Sequence, residues 1–481
     1  MARMRSRPLA LVALLIPVAL ALGAGPTSCW FSNQDAYHGW TGMQLAATGR
    51  FRVEQVDGVW WFVTPAGHPF FSAGVNNVSL YSDYAPALGT YPYRDNALPR
   101  YGSESAWADS VIDRMSHAGL NTIGAWSQNE LFRERFPYTQ ILGFAASAPI
   151  VPGTTLPRLP ELRDYFDPAF ASGATREAEG ARACANDPYC IGVYSDNELP
   201  WGPAFNQSIP FIDGSMKLPA AAPGKIALQH FFEERYAGDI AAFGAAWGLT
   251  LASFDEIQGL SALSANWRRD SDAAKADRNA FRGRVAERYF QVAHDALRAI
   301  SPDLLILGAR FLAFATGPET VAAAAPFVDV LSVNAYEWND AWFAISQTFV
   351  AQAGLLPATQ LFDDVDEMAR ISGKPILITE FGYRADDVGL PNSWPPVYVQ
   401  LTTQNERADA YENYMDLALA RPYLVGTHWF EYADQPATGR FDGEDNNWGF
   451  VNIEDEIYAE LFVRMWRVHV GLYQRRAELS D

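Results

Sequence analysis

The sequence predicts an α/β fold, a (β/α)8 TIM barrel with an N-terminal β-hairpin and a long helical insertion after strand 4. Eight short apolar segments recur along the 481 residues, separated by stretches whose apolar side chains fall at helical spacing. That alternation is the mark of repeated βα units. No Gly-rich phosphate loop follows any of the apolar segments, which favours closure into a barrel over an open, doubly wound nucleotide-binding sheet. With 49% hydrophobic and 14% aromatic residues, the chain has ample material for one large core. Barrels with insertions run past about 400 residues as a single unit.

The first 24 residues read as a signal peptide: Arg3, Arg5 and Arg7 precede an apolar run that ends in small residues, with cleavage expected near Ala21 to Ala24. The run is short for a membrane span, which needs about 20 residues. A secreted protein, extracellular or periplasmic, is therefore expected. Cys29, in "PTSCW", lacks the Leu and small-residue pattern of a lipidation site and reads as a plain cysteine. After an N-terminal segment over 25–49, the predicted catalytic domain covers 50–475. It begins with a hairpin signalled by Asp57-Gly58 and Pro65-Ala66-Gly67 between aromatic and alternating residues.

Strands are expected at Phe70 to Asn76, Thr122 to Trp126, Gln140 to Ala145, Ile191 to Ser195, Leu304 to Ala309, Val328 to Asn334, Pro375 to Glu380 and Leu424 to Trp429. Helices are expected at Ser105 to Ala118, Ala273 to Ile300 and Asn405 to Ala420, by their apolar periodicity. The longest connection, about 199 to 303, includes "HFFEERYAGDIAAFGAAWGLTLASFDEI" and reads as a helical insertion beside the active-site face. Cys184 and Cys190, in "CANDPYC", are close enough to bridge across a turn in an oxidising compartment.

Charge narrows the partners. Loss of the three leader arginines takes the formal net charge from −20 to −23. Such a surface repels nucleic acid and anionic lipid, and it argues against a strongly anionic polymer as substrate.

In a barrel of this kind the chemistry sits at the C-terminal ends of the strands. Reading those ends yields Asn76, Trp126, Asn197, Glu198, Arg310, Asn334, Tyr336, Glu380 and Trp429. Two carboxylates stand out, Glu198 in "YSDNELPW" and Glu380 in "KPILITEFGY". Strands four and seven lie far enough apart around the ring for these side chains to face each other across the mouth. Opposed carboxylates suit glycoside hydrolysis, in which one acid protonates the leaving oxygen and an anion attacks or stabilises the sugar carbon. An apolar wall and a neighbouring negative charge would raise the pKa of Glu198, and a phenol such as Tyr336 would support Glu380.

These motifs resemble clan A of the glycoside hydrolases. The likeness to the family 50 β-agarases is carried by "VDGVWWFVTPAGHPFFSAGVNNV", "YSDNELPWG", "FVDVLSVNAYEW", "ITEFGY" and "GTHWFEYADQPATGRFDGEDNNWGFVN", over roughly residues 50 to 465. The resemblance implies a retaining double displacement without cofactor, with Glu198 as acid/base and Glu380 as nucleophile. It implies further that Asn197 holds the sugar 2-hydroxyl, that Tyr336 hydrogen-bonds the nucleophile and that Trp429 floors the −1 subsite. The family usually adds a sizeable N-terminal carbohydrate-binding-like domain; here about 25 residues separate the expected cleavage site from the hairpin.

Trp126, Trp201, Trp338, Tyr383, Tyr432 and Trp448 fall at or just beyond strand ends, where rings stack on sugars or pack beneath loops. Trp338 and Trp429 are the strongest of the stacking candidates. Arg310 could orient either carboxylate or form a structural ion pair. His428 could contact a sugar hydroxyl or be a satisfied barrel-wall histidine, Asp196 would support Glu198 or a loop, and Glu130 in "SQNEL" reads as a surface acid. The loop "GRFDGEDNN", Gly439 to Asn447, lacks EF-hand spacing and reads as a substrate-binding loop; the seven histidines form no HExxH pair, so no metal is expected. A β-linked, galactose-containing poly- or oligosaccharide is the expected substrate, with glucan, mannan or arabinogalactan, transglycosylation, and a non-catalytic carbohydrate-binding protein as alternatives.

Overall fold

The computed structural model describes residues 33–155, 161–201, 209–263, 271–342, 344 and 361–480. The leader and Cys29 lie outside the described residues. Strands β1 (Arg52–Val56) and β2 (Val59–Val63) pair antiparallel around Asp57 and Gly58. Both turn residues have positive φ, 48° and 85°, the geometry of a two-residue hairpin turn that matches strand twist. β3 (Pro69–Phe70) adds to β2. Phe51, Phe62 and Phe70 of this sheet cluster with Ile191, Leu377 and Val425.

Those last three residues sit near the starts of strands in an eight-stranded sheet. Its members are β4 (Ser72–Val75), β5 (Thr122–Ile123), β6 (Tyr138–Ile141), β7 (Cys190–Tyr194), β8 (Phe311–Leu312), β9 (Leu331–Asn334), β10 (Ile376–Phe381) and β13 (Leu424–Trp429). Their order is β7-β6-β5-β4-β13-β10-β9-β8, and neighbouring strands pair parallel. At the β7 edge, Val193 N donates to Leu305 O (2.9 Å), Leu307 N to Val193 O (2.9 Å) and Ser195 N to Gly308 O (2.8 Å). The segment that leads into β8 thus meets β7, and the two ends of the sheet curl together. A ribbon of β11 (Arg384–Ala385) and β12 (Gln400–Leu401) lies over the C-terminal rim.

The strands depart from expectation where special backbone geometry intervenes. The fifth segment hydrogen-bonds to β7 through residues 305–308, but Gly308 (φ 82°) and Arg310 (φ 45°) break the ladder. Regular pairing resumes only at Phe311. The third strand starts earlier, at Tyr138, and ends at Ile141, because Phe144–Ser147 form a 3-10 turn anchored by Ala145 N on Asp196 Oδ2 at 2.9 Å. Inside the sheet, Ser72 Oγ contacts both Thr122 Oγ1 and His428 Nε2 at 2.8 Å. The imidazole fills space that Gly74 leaves open, since a Cβ there would lie 2.5 Å from the ring.

Helix Glu104–Ala118 starts on the Ser103 side chain and stops at Gly119 (φ 75°), and helix Gln404–Leu419 opens with a capping box of Thr403 and Glu406. Helix Asp272–Ile300 buries Phe281, Val285, Tyr289, Phe290 and Leu297. Between β7 and this helix the described residues hold helices Phe211–Ser215, Pro223–Arg235 and Ile240–Trp247. Cys184 and Cys190 form a disulfide at the start of β7. Among the described residues, no helix is long and apolar enough to cross a membrane.

Candidate active site

Glu198 and Glu380 line one cleft, about 650 Å³ in volume, at the C-terminal rim of the eight-stranded sheet. Glu380 belongs to β10, whose apolar run Ile376, Leu377 and Ile378 is fully buried and fixes the strand. Its Oε1 pairs with Arg310 Nη2 at 2.9 Å, and its Oε2 accepts from the Tyr336 hydroxyl at 2.8 Å. Burial and the Glu380 charge push the Tyr336 phenol well above its ordinary pKa, so it stays a donor.

Glu198 follows β7 and is half-buried in the cleft wall. Its backbone N donates to Arg310 O at 3.2 Å, and its Oε1 accepts from Asn334 Nδ2 at 2.8 Å. Burial, then the negative charge of Glu380, pushes the Glu198 carboxyl from 4.5 up to about 7. The two acids therefore differ in surroundings: Glu380 meets a guanidinium and a phenol, Glu198 an amide.

Arg310 ties the pair together. Its guanidinium is fully buried and donates to Asn197 Oδ1 (2.9 Å) and Thr379 O (2.9 Å) besides pairing with Glu380. It also lies 4.1 Å from the ring centroid of Trp126, which lines the cleft. Asn334 donates to Asn197 Oδ1 at 3.1 Å and accepts from Thr379 Oγ1 at 2.7 Å. With its oxygen held by two donors, Asn197 keeps its amide nitrogen for a ligand in the cleft.

Of the predicted site residues, Glu198, Glu380, Asn197, Tyr336 and Trp126 line the cleft, while Arg310 and Asn334 brace it from behind. The other five neither line it nor bond to its carboxylates. Asn76 is fully buried and serves the backbone, donating to Thr379 O and accepting from Ala125 N. His428 lies inside the sheet, where burial and the Arg310 charge lower it to about 3, leaving it neutral. Trp429 is 1% exposed, donates to Trp448 O and packs on Phe381 and Tyr411, so it floors no subsite. Trp201 is 2% exposed among Phe290, Tyr289 and Phe311 and belongs to the core. Trp338 packs edge-on against Phe314 at 4.1 Å and pairs with Tyr398, outside the cleft lining. Glu130 is exposed in a 3-10 turn, and Asp196 accepts from Tyr289 and Ala145, outside the cleft lining.

Phe430, Tyr398, Asn77 and Asp83 also line the cleft, at positions that strand-end periodicity does not reach. Phe430 lines the cleft where the sequence predicts Trp429 as a floor: one residue along the chain exchanges core for cleft. Tyr398 stacks on Tyr336 at 4.4 Å from a segment with no strand signal. Asn77 and Asp83 follow β4 in "VNNVSLYSDY", where only the cluster of polar residues beyond a strand end offered a signal. The "GRFDGEDNN" loop contributes Arg440, Phe441, Asp442 and Glu444 to the lining. Among the described residues, no group of three or more His, Cys, Asp and Glu is placed to hold a metal ion.

No family model matches the chain. It is 29% identical over 486 residues to Beta-agarase A of Vibrio sp. (strain JT0107), covering 89% of this chain and 46% of that protein. Beta-agarase B of the same strain is 28% identical over 518 residues, covering 92% and 50%. The chain spans about half the length of these curated relatives. Among solved structures, an exo-beta-agarase and the agarase AgWH50C each superpose with a TM-score of 0.77 at 25% identity, covering 92% of this chain and 68% of theirs. The α/β fold with its eight-stranded, curled parallel sheet is thus one that this chain shares with agarases.

Proposed function

We propose that the chain is a secreted, retaining glycoside hydrolase of the family 50 β-agarase type, built on a (β/α)8 barrel and cleaving β-linkages in an agar-type galactan. The observation that carries the reading is the shared cleft of Glu198 and Glu380, with Arg310 bonded to both Glu380 and the Asn197 that precedes the acid. Glu380 attacks the anomeric carbon while Glu198 gives its proton to the leaving glycosidic oxygen. A covalent glycosyl–Glu380 ester forms and the shortened chain departs. Glu198, now a carboxylate, takes a proton from water as the water attacks the same carbon and frees Glu380, so the configuration is retained. Tyr336 and Arg310 hold the Glu380 oxygens in line, and Asn197 is placed for the 2-hydroxyl.

The agarase relatives support the galactan. Export is supported by the arginine-led apolar leader and by the Cys184–Cys190 disulfide, a bond of oxidising compartments. The test is a panel of β-linked polysaccharides assayed with wild type, Glu380→Ala and Glu198→Ala, following product anomers by NMR. Expected are hydrolysis of agar-type chains with the β-anomer released first, loss with Glu380→Ala, and azide rescue of Glu198→Ala on substrates with good leaving groups. An inverted first product, or activity that survives Glu380→Ala, refutes it.

A further inference from the structure

The cleft does not end at the carboxylate pair. Tyr81, Tyr84 and Phe441 line it as well, and these rings are 44%, 38% and 68% exposed. Large apolar rings left open to solvent inside one concave surface are a sign of ligand contact rather than of core. Their positions are held. Tyr81 donates to Glu104 Oε1 at 2.7 Å, and Tyr81 and Tyr84 stand edge-on to Tyr91 at 5.7 and 5.2 Å. On the other side, the Arg440 guanidinium lies between two rings, 5.6 Å from Phe430 and 5.3 Å from Phe441. Phe430 in turn is 6.4 Å from both Tyr336 and Trp126. Aromatic surface therefore continues from the catalytic pair, across Arg440, to Phe441.

The charge around this stretch selects among ligands. Arg440 is surrounded by Asp83 (3.0 Å), Asp442 (2.9 Å) and Glu444 (3.0 Å). Glu431 lies 3.7 Å from it as well, so this one cation faces four carboxylates, and Arg94, 5.7 Å from the Tyr81 ring centroid, is paired with Asp95 at 2.6 Å; neither cation is left over for a sulfate or a uronate, while many acceptors stand ready for hydroxyl donors.

We propose that Tyr81, Tyr84 and Phe441, with the Asp83–Arg440 pair as polar floor, form a distal subsite that stacks a neutral sugar unit of the same chain whose linkage the carboxylates cleave. The assignment rests on the glycoside hydrolase reading above. It makes chain length, rather than the scissile unit alone, a determinant of affinity.

Calorimetric titration of a ladder of neutral agar-type oligosaccharides, from two to eight sugars, into the Glu380→Ala protein tests it without turnover. Affinity is expected to rise with length up to a plateau. Adding Phe441→Ala or Tyr84→Ala to that protein should lower affinity for the long members about three- to tenfold, the loss of one stacked ring, and flatten the rise. A control substitution at exposed Val463, outside the cleft, should leave the length dependence intact, and thermal melts should stay within a few degrees because the replaced rings are exposed. A length dependence unchanged by either ring substitution overturns the subsite while leaving the glycan reading standing. Failure of the parent protein to bind any ladder member overturns both. Equal affinity for a sulfated ladder of the same backbone overturns the neutral-sugar assignment.

Discussion

Under the mechanism proposed above, Glu198 is a carboxyl kept protonated for catalysis, and such a group is a folding liability at the pH where it works. Its rise from 4.5 to about 7 corresponds to ~3.4 kcal/mol at most, at about 1.4 kcal/mol per tenfold change in proton affinity. The sign follows from the raised value. Below pH 4.5 the group is protonated in both folded and unfolded chains and contributes no penalty. Between 4.5 and 7 the unfolded chain ionises first, so folded stability is progressively lost, and above 7 the full difference is felt. Glu198→Gln keeps an amide oxygen for the Asn334 donor at 2.8 Å while removing the charge. The variant should therefore match wild type at pH 4 and exceed it by about 2–3 kcal/mol at pH 8, less than the ceiling because the side chain is half-exposed to the cleft. Urea unfolding at the two pH values measures this. The descending limb of kcat/KM near pH 7 should vanish with the variant's residual activity. Equal stabilities at pH 8 would refute the raised carboxyl, and with it the assignment of Glu198 as the acid.

Further expectations are as direct. Arg310→Met leaves buried Glu380 without its 2.9 Å counter-charge and should cost about 3–5 kcal/mol in stability, read by thermal melts; Arg310→Lys cannot bridge Glu380 and Asn197 together and should not restore kcat. Tyr336→Phe removes one hydrogen bond to a charged acceptor, so kcat should fall about 10- to 100-fold with little change in unfolding, because the ring still stacks on Tyr398. Trp201→Ala should lower stability by about 3–5 kcal/mol, whereas Trp126→Ala, at an exposed cleft-facing ring, should mainly raise KM. Cys184→Ser with Cys190→Ser opens a small loop, a sequence separation of 6, and should cost about 2 kcal/mol while sparing activity, since the bridge lies at the opposite end of β7 from Glu198.

Much of the fold was legible because βα repetition writes itself into apolar periodicity, and the two acids were legible because each terminates an apolar run. What periodicity cannot resolve is a single step in phase. Trp429 and Phe430 are neighbours of similar chemistry, yet one is core and the other cleft wall, and only the pairing of β13 with β4 and β10 decides between them. Trp201 looked like a stacking ring because it follows Glu198 by three residues; the chain turns it into the Phe290–Tyr289 cluster instead. Asn76 and His428 sit at plausible strand ends, but their partners are backbone groups and Ser72, brought from hundreds of residues away. Tyr398 and Asp83 come from loops, where the sequence has no period to read.

Four of the cleft residues share a backbone property invisible to pattern. Asn77, Asp83, Trp126 and Glu198 have φ of 55°, 51°, 59° and 48°, and Arg310 behind them 45°. None is glycine, so each such conformation costs about 1–2 kcal/mol. Specific contacts offset it: Asn77 N donates to Ala125 O, Glu198 N to Arg310 O, and Arg310 N to Ser332 Oγ at 2.8 Å. At Asn77, Trp126 and Glu198, which follow the ends of β4, β5 and β7, the effect is to turn the side chain toward the cleft that each of them lines. Glycine would adopt these angles freely but carries no carboxyl, amide, indole or guanidinium. Left-handed backbone thus aims one part of the cleft wall, while Glu380, Asn197 and Tyr336 reach the cleft without it, and the Arg310 network, bonded to Asn197 after β7 and to Thr379 and Glu380 of β10, ties the two kinds of position together.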